Sequence, residues 1–567
     1  MLQQPRPDAL AGRKALLGIL LVERGLMTPE QLQAALDQQA RTGDYLGHVL
    51  VRQGAVSELQ LMSVLADQLG VPSVTLTEVR VSPAILQRVP AAVATRYQLM
   101  PLGFDGNRLR IATADPLNVQ VLDELKLVLE CEIAPVLASV RDIQEAIHRH
   151  YGVGASAVER LLDNGLHDLA PATATEDLTA KSDEASVVSF VNQLILSAVR
   201  DRATDIHVEP FDQMLRIRQR IDGVMYEMSV PPDLVKLHQA IVSRIKVMAQ
   251  LDIAERRLPQ DGRIKARLDG QEFDLRISVL PTNFGESVEI RLLSSGMLFS
   301  LEQLGLGGDQ LTLLVQLIGK PHGIIFVTGP TGSGKTTTLY ACLTKLNVPN
   351  VKILTIEDPI EYQLTGITQL QVHPKIGFSF AQGLRSMLRH DPDIMMVGEV
   401  RDPETAEITI RSALTGHLVF STLHTNDAAG GVTRLLDMGI EPFLVASSVL
   451  CFIAQRLVRV VCPLCQEDQP APPGLREEFR LREDPPKMLR YGRGCPACKG
   501  TGYKGRTAIY EFLVLNETIQ QLVVHRASSH EIAKVAQQTG GMRTLRQDGW
   551  QKISQGLTTP QEVLRVS

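Results

Sequence analysis

A glycine-rich segment in the middle of the chain has the residue types of a phosphate-binding loop. It follows the pattern G-x-x-x-x-G-K-[ST] and stands between the apolar run 324–327 and a helix-like stretch, 336–343. Its glycines let backbone N–H groups turn toward phosphate oxygens, Lys335 supplies a positive charge, and the Thr336 hydroxyl can hold Mg²⁺. A chance glycine-rich turn is the alternative, which the strand–loop–helix context disfavours. The predicted nucleotide-binding residues are Gly329, Pro330, Thr331, Gly332, Ser333, Gly334, Lys335, Thr336 and Thr337.

Three further apolar runs lead to side chains that could act on a phosphate ester: Glu357, Glu399 and His424. Ligands of open parallel sheets bind at the carboxyl ends of the strands, so we expect these three side chains to converge on the phosphate loop. Glu399 is the candidate that polarises the attacking water, directly or through Mg²⁺. Glu357 is the second candidate for water or metal, and His424 could sense the terminal phosphate. The alternative is that these residues only cap strand ends and turns.

Four cysteines form a C-x₂-C…C-x₂-C array with 29 residues between the pairs: Cys462, Cys465, Cys495 and Cys498. Two such turns can present four thiolates to one tetrahedral ion, and four sulfur ligands with no open position are typical of structural Zn²⁺. An iron–sulfur cluster is the remaining metal alternative. The other three cysteines lie in apolar surroundings and are predicted to be core residues: Cys131, Cys342 and Cys451.

Strand-like segments upstream of the phosphate loop are rich in arginine: Arg216, Arg218, Arg220, Arg263, Arg276 and Arg291. Alternate positions place the first three on one face of a strand, where like charges repel each other unless an anion meets them. Arginines beside a transferring phosphoryl group accelerate such reactions by orders of magnitude in other enzymes. The alternative is that they pair on the surface with nearby carboxylates, those of Asp205, Glu209 and Asp274.

These candidate residues need a parallel sheet and several flanking modules to position them. Strands and helices alternate over 301–455, which predicts a parallel α/β core. The unit before it is predicted to open with a helix over 187–200 and to contain a basic amphipathic helix over 234–248. The predicted modules are an N-terminal domain, a flexible linker, this middle unit, the core, a tetracysteine subdomain and a helical tail, at 1–150, 151–184, 185–300, 301–455, 456–515 and 516–567.

The N-terminal domain contains a repeat with a spacing of 29 residues. Each copy predicts a short helix, a turn with glycine and a longer helix that begins at Thr28 or Ser57. Turn glycines and core leucines suffice to explain it. The matching pairs are Gly18 and Gly47, Leu21 and Leu50, Gly25 and Gly54, Leu32 and Leu61, Leu36 and Leu65, and Gln39 and Gln68.

Composition and charge exclude several classes of protein. The 567 residues are 44% hydrophobic and 21% charged, which excludes wholesale disorder. A net charge of −5 and a single tryptophan provide neither a basic field nor an evident stacking platform for nucleic acid. No apolar run approaches the roughly 18 residues that span a bilayer, and the first residues do not form a signal-peptide pattern. We therefore expect a cytosolic chain whose cysteines are reduced or bound to metal.

Four segments of the chain resemble the boxes of the secretion ATPases, in the GspE/PilB branch. The phosphate loop resembles their Walker A box. Three further segments resemble the family's Asp box, Walker B box and His box. In that order they are TIEDPIE (355–361), DPDIMMVGEVRD (391–402) and STLHTND (421–427). The resemblance extends upstream through TDIHVEP (204–210), RIRQRIDG (216–223), RLPQDGR (257–263) and DLRISVLPTNFGESVEIRLL (274–293).

The resemblance implies a multidomain α/β fold with a RecA-like parallel-sheet P-loop core. A PAS-like α+β domain and an N-terminal domain of the MshEN/GspE-N type would precede the core, and a zinc knuckle would be inserted after it. The implied activity is hydrolysis of ATP with Mg²⁺ to drive assembly of type IV pili or of the pseudopilus of a type II secretion system. Arg276 and Arg291 match arginines that the family's middle domain moves onto the γ-phosphate, and Arg263 matches another near the site.

The same resemblance implies an assembly and its partners. The chain would form a homo-hexamer. It would bind an inner-membrane platform protein and a cytoplasmic adaptor, and would attach peripherally to the inner membrane. The repeat resembles domains that dock on such a platform or bind cyclic di-GMP. In the nucleotide-binding form each copy begins Arg-Leu-Gly, whereas Leu16 and Tyr45 occupy the arginine positions here, and Arg13 and Arg41 are out of register. Docking is therefore favoured, and cyclic di-GMP binding stays open.

Two other classes of function remain as alternatives. Salt-sensitive stimulation of ATP hydrolysis by DNA would indicate a motor that handles nucleic acid. Absence of ATP turnover would indicate a cyclic di-GMP receptor whose ATPase is secondary, although all four boxes are intact.

Overall fold

Strands of the computed structural model form four sheets within the residues that it describes, which are 17–42, 46–76, 79–116, 118–152, 176–177, 187–268, 271–294, 299–481 and 483–567. The chain divides into two compact units, Met1–Leu292 and Leu293–Ser567. The predicted linker, 151–184, lies outside the described residues except for 151–152 and the short strand Glu176–Asp177.

The repeat at the start of the N-terminal unit forms helices, as predicted. A helix over 17–23 is followed by Pro29–Thr42, Leu46–Arg52 and Glu58–Leu69. Gly25 and Gly54 occupy the same turn in the two copies, with φ of 67° and 68°. The side chains of Thr28 and Ser57 accept hydrogen bonds from the N–H groups of the residues three positions on, which confirms both predicted N-caps.

A small α/β part follows the repeat, and its sheet has the order β1-β2-β3. The strands are β1 (Leu99–Asp105), β2 (Arg108–Thr113) and β3 (Glu132–Leu137). The first two are antiparallel, and β3 joins β2 in parallel. Its helices are Pro83–Arg88, Ala91–Arg96, Val119–Leu129 and Val140–Tyr151.

The rest of the N-terminal unit is a seven-stranded sheet of order β4-β8-β9-β10-β5-β6-β7. Its strands are β4 (Glu176–Asp177), β5 (Ala203–Pro210), β6 (Leu215–Ile221), β7 (Val224–Glu227), β8 (Gln260–Leu268), β9 (Gln271–Thr282) and β10 (Gly285–Ser294). The helix Val187–Arg200 has the predicted bounds and shares one apolar core with the sheet and the helix His238–Met248.

The sequence-based prediction for the second of these helices is partly wrong. Residues Pro232–Leu237 form a 3₁₀ turn, and the α-helix begins at His238. Its basic face does not point to solvent, because Lys246 is 1% exposed and its Nζ lies 2.6 Å from Glu286 Oε1. The partner carboxylate comes from β10, so sequence spacing within the helix could not reveal the burial.

The C-terminal unit is built on a second seven-stranded sheet, of order β13-β12-β14-β15-β11-β16-β19. Its strands are β11 (Gly323–Thr328), β12 (Ile353–Glu357), β13 (Thr368–Gln371), β14 (Ile394–Val397), β15 (Leu418–Leu423), β16 (Val449–Val461) and β19 (Tyr503–Val514). All neighbours are parallel except β16 and β19, which confirms the predicted parallel core. Every residue of β11, β14 and β15 is buried, because helices cover both faces of the sheet.

Helices and short turns complete this unit. The predicted boundary at 455/456 falls inside β16, and a hairpin of β17 (Gln466–Pro470) and β18 (Met488–Gly492) lies between β16 and β19 in the chain. The 3₁₀ turns are Leu301–Leu304, Pro374–Ile376, Leu388–His390 and Pro496–Cys498. The helices are Gly308–Ile318, Lys335–Leu346, Phe380–Met387, Pro403–Leu414, Ala428–Asp437, Pro442–Ser448, Leu475–Glu478, Glu517–Val524, Ser529–Thr539, Leu545–Ser554 and Pro560–Val566.

A buried ion pair attaches the last helix to β16. Glu562 is 2% exposed and accepts hydrogen bonds from Arg459 Nη2 at 2.6 Å and from Arg565 Nη2 at 2.9 Å. Burial alone would raise the pKa of Glu562, but the hydrogen bonds from the two arginines hold it at about 2. The pair therefore stabilises the fold above the unfolded-state pKa of about 4.3, and this contribution is lost as the pH falls toward 2.

We expect Glu562→Gln to lower the free energy of unfolding of the C-terminal unit by about 3 kcal/mol at pH 7, because it leaves Arg459 without its carboxylate. The difference from wild type should shrink below pH 4. Urea titrations at pH 3 and pH 7, followed by the fluorescence of Trp550, the single tryptophan, measure this difference in the free energy of unfolding. The exposed Glu483→Gln is the control, and an equal loss at pH 3 and pH 7 would contradict the assignment.

Candidate nucleotide site and metal centre

The phosphate loop joins β11 to the helix Lys335–Leu346, as predicted. Gly329, Gly332 and Gly334 have φ of 148°, 78° and 89°, which side chains of L-residues rarely allow. A Cβ at Gly329 would lie 2.6 Å from Ser333 Oγ and 2.7 Å from the carbonyl oxygen of Gln455. The loop therefore curls tightly at the N-terminus of a helix, where the backbone favours anions.

Two polar groups of the loop suit a phosphate ligand. The Ser333 hydroxyl is buried and has no hydrogen-bond partner among the described residues. Lys335 Nζ donates to the carbonyl oxygens of Gly329 at 2.8 Å and Pro330 at 3.1 Å, so the ammonium group lies across the loop. Burial lowers the pKa of Lys335 to about 8, while Glu399 opposes this shift and Arg456 adds to it. The loop thus fits a group that brings negative charge and acceptor oxygens.

The predicted Glu399 and His424 come together at the edge of the sheet beside the loop. They follow the neighbouring parallel strands β14 and β15. Glu399 Oε2 lies 3.3 Å from His424 Nε2 and 2.7 Å from Arg401 Nε, and the Glu399 side chain is 12% exposed. A carboxylate that is partly open and held by two cationic or polar groups can orient a water molecule.

Glu357 has a different environment, although it also ends a strand of this sheet. It is 3% exposed and accepts hydrogen bonds from Thr355 Oγ1 at 2.5 Å, Gln369 Nε2 at 3.1 Å and the hydroxyl of Tyr340. Burial raises its pKa, and the hydrogen bonds oppose the rise. Through Tyr340 the carboxyl group is tied to the helix that follows the phosphate loop.

The predicted arginines belong to the N-terminal unit, whereas the phosphate loop belongs to the C-terminal unit. Arg291 Nε lies 2.8 Å from Asp205 Oδ1, and its Nη2 lies 3.0 Å from Glu289 Oε1. Arg276 stands opposite Arg263 in the pairing of β8 with β9.

The three arginines of β6 also lie close to carboxylates. Arg216 and Arg218 contact Glu209, and Arg220 contacts Asp205. In this structure four of these arginines therefore pair with carboxylates of their own sheet.

Sequence reasoning missed two polar residues beside the phosphate loop, Gln455 and Arg456. Gln455 Oε1 accepts a hydrogen bond of 2.8 Å from Thr338, in the helix that follows the loop. Arg456 Nη1 would lie 2.9 Å from a Cβ at Gly329. The one signal in the sequence was a Gln-Arg pair that interrupts the apolar run 449–461.

The four cysteines of the array form one cluster. Sulfur–sulfur distances are 3.7 Å for Cys495 and Cys498, 3.8 Å for Cys465 and Cys498, and 3.9 Å for Cys462 and Cys495, and all four sulfurs lie within 4.8 Å of one another. A tetrahedron of zinc–sulfur bonds of about 2.3 Å has edges of about 3.8 Å. Burial raises the pKa of Cys498, but hydrogen bonds from the N–H groups of Cys495 and Gly502 and from the side chains of Cys495 and Cys465 outweigh it and bring the pKa to about 7.

Some predictions fall on other parts of the chain. Leu16, Tyr45 and Arg13 lie outside the described residues, as does the side chain of Arg41, so the cyclic di-GMP prediction stays a prediction. Cys342 and Cys451 are buried, as expected, whereas Cys131 is partly exposed. Within the described ranges, no helix has both the length and the apolar character needed to cross a membrane.

Comparison with known proteins covers nearly the whole chain. Residues 180–565 match the family model described as Type II/IV secretion system protein, and residues 69–157 match the MshEN domain. The chain is 44% identical over 565 residues to the type IV pilus assembly ATPase PilB of Myxococcus xanthus, covering 97% of this chain and 98% of that one. It is 45% identical over 557 residues to the type II secretion system protein E of Xanthomonas campestris pv. campestris, covering 96% and 97%.

Part of the fold also resembles that of a solved ATPase. The crystal structure of the ATPase DotB of Legionella pneumophila aligns with a TM-score of 0.51 at 20% identity, covering 70% of this chain and 99% of that one. At this identity the likeness concerns the fold alone. The family match and the two relatives together carry the conclusion: the chain belongs to the type II/IV secretion system protein family and is an ATPase.

Proposed function

We propose that this chain is the motor that hydrolyses ATP to drive assembly of type IV pili or of the pseudopilus of a type II secretion system. The observation that carries the proposal is the convergence of Lys335, Glu399 and His424 on one edge of the parallel sheet. The relatives divide between the two machines, with a pilus ATPase and a secretion protein at nearly equal identity. Neither alternative, the nucleic-acid motor or the cyclic di-GMP receptor, is favoured by these relatives.

Each group of residues in the site would have a separate role in hydrolysis. Residues 329–337 hold the phosphates through backbone N–H groups and Lys335, and the Thr336 hydroxyl would hold Mg²⁺, which supplies positive charge to the transferring group. Glu399 orients the attacking water, because it is the carboxylate that remains partly open. His424 contacts Glu399 and would sense the terminal phosphate. Glu357 remains the second candidate.

We expect Glu399→Gln to bind ATP with unchanged affinity and to hydrolyse it about 100-fold more slowly, because a neutral amide cannot accept the proton of the water. Steady-state phosphate release and binding of a fluorescent ATP analogue measure the two quantities. Glu357→Gln is the comparison variant, since it removes the other strand-end carboxylate. Full turnover in Glu399→Gln with loss in Glu357→Gln would transfer the role to Glu357.

We propose that the cysteine cluster holds one structural Zn²⁺. Four thiolates near tetrahedral spacing leave no ligand position for a reacting group, so the ion would stabilise the β17–β18 segment. The backbone N–H groups that point to the Cys498 sulfur support a thiolate ligand there.

We expect Cys498→Ser to reduce zinc from about one ion per chain and to make residues 462–502 sensitive to protease, because three thiolates bind the ion more weakly. Atomic emission spectrometry and limited proteolysis give the two readouts. Cys131→Ser, which lies outside the cluster, should keep the metal. A wild-type chain that folds normally without metal would contradict the proposal.

The remaining parts of the proposal concern assembly. The motor would act as a homo-hexamer in the cytoplasm, attached to the inner membrane through a platform protein and a cytoplasmic adaptor, without nucleic acid. Arg276 and Arg291 would reach the γ-phosphate when the two units close, which would couple hydrolysis to their relative motion. The N-terminal domain would dock on the platform or bind cyclic di-GMP, and its residues from 69 onward lie in the segment, 69–157, that matches the MshEN domain.

We expect Lys335→Ala, introduced in the native strain, to abolish the work of the machine, since the loop loses its charge on the phosphates. Surface filaments and the extracellular protein profile are scored together. Loss of filaments with normal secretion would assign pilus extension, and periplasmic retention of secreted proteins with intact pili would assign type II secretion. Retention of both filaments and secretion would contradict the proposed role.

A further inference from the structure

Arg456 lies beside the phosphate loop because β16 is longer than its neighbour β11. The two strands pair as far as Thr328 and Ala454, and β16 then continues to Val461. The next residues of β16 therefore flank the loop, and Arg456 Nη1 would lie 2.9 Å from a Cβ at Gly329. The Arg456 side chain is buried, since the residue is 8% exposed.

The guanidinium of Arg456 joins two segments of the site. Nη1 donates to the carbonyl oxygen of Gln455 at 2.9 Å, and Nη2 donates to the carbonyl oxygen of Asn426 at 2.7 Å. Asn426 is two residues after His424, in the segment that leaves β15. One planar group thus connects the strand that flanks the phosphate loop to the segment that carries His424.

The carboxyl group of Glu511 also holds this segment. Glu511, on β19, is paired in register with Ala454, and its Oε1 accepts the Ala428 N–H at 2.9 Å. Burial disfavours the charge of Arg456, whereas Glu511 and Asp427 favour it. Segment 424–428 is therefore held at Asn426 by a guanidinium group and at Ala428 by a carboxyl group, both of which are buried.

We propose that Arg456 is a positioning residue, which sets the place of His424 and its contact with Glu399 relative to the phosphate loop. The inference rests on the proposed ATPase function. A purely electrostatic role in holding phosphates would be met equally well by lysine. The positioning role needs the planar fork, because a single ammonium group does not reproduce two donors in a fixed geometry.

The test compares Arg456→Lys with the wild-type full-length chain, using ATP and Mg²⁺. We expect kcat to fall about 100-fold, as for a reacting group displaced by about 1 Å, while KM for ATP changes less than about threefold, because Lys335 and the loop are intact. Arg456→Gln carries the same expectation if the lysine variant does not fold. In a double-mutant cycle, adding Arg456→Lys to His424→Ala should cost little more activity than His424→Ala alone.

The matched control is Arg459→Lys. Arg459 lies three positions further along β16, is largely buried and pairs with Glu562 instead of the loop, so its variant should lose thermal stability and keep kcat. Normal kcat in Arg456→Lys, a loss in KM alone, or multiplicative losses in the cycle would each overturn the positioning role. Absence of ATP hydrolysis by the wild type would instead overturn the proposed function, so the two failures are distinguishable.

Discussion

Parallel pairing of β12, β14, β15 and β11 is the constraint on which the nucleotide site depends. The strands are matched end to end, with Ile356 beside Val397, Val397 beside Ser421, and Thr328 beside Leu423. Because parallel strands share one polarity, the segments that follow them emerge at the same edge of the sheet. The phosphate loop, Glu399 and His424 become neighbours there. The fully buried apolar strands make this register costly to change, since a shift would expose their side chains or break the ladder.

Burial gives the carboxylates of Glu357 and Glu399 different surroundings. Glu357 is enclosed, and its oxygens are occupied by donors from its own strand, from β13 and from the helix after the phosphate loop. An enclosed carboxyl group must be hydrogen-bonded to be tolerated, and that network fixes the helix to the sheet. Glu399 keeps access to the site and contacts His424 and Arg401. The two carboxylates near neighbouring strand ends therefore differ in exposure, since Glu357 is enclosed by donors and Glu399 is partly open.

The arginines of the N-terminal unit pair with carboxylates in this structure, and their catalytic role stays a prediction. Arg291 is 48% exposed and Arg220 39% exposed in their pairs with Asp205. The carboxylate in both pairs is buried, since Asp205 is 5% exposed, so solvent screens only the arginine side of each pair. A phosphate has more charge and a geometry suited to the guanidinium fork, but drawing an arginine to it would leave the buried Asp205 with fewer partners. The observed pairs therefore fix the positions of these arginines on their own sheet.

The sequence by itself determined the local elements and the residue types of the chemistry. The strand–loop–helix around Lys335, the helix Val187–Arg200 and the cysteine array follow from short-range patterns: apolar runs, glycines that allow positive φ, and C-x₂-C turns. Only the tertiary structure decided which side chains are enclosed and which face the loop. Lys246 is buried and pairs with a carboxylate from β10, and Glu357 is enclosed and accepts hydrogen bonds from two other elements. Arg456 reaches the loop because β16 runs past β11. These outcomes depend on contacts between residues far apart in the chain, and no local period of the sequence encodes them.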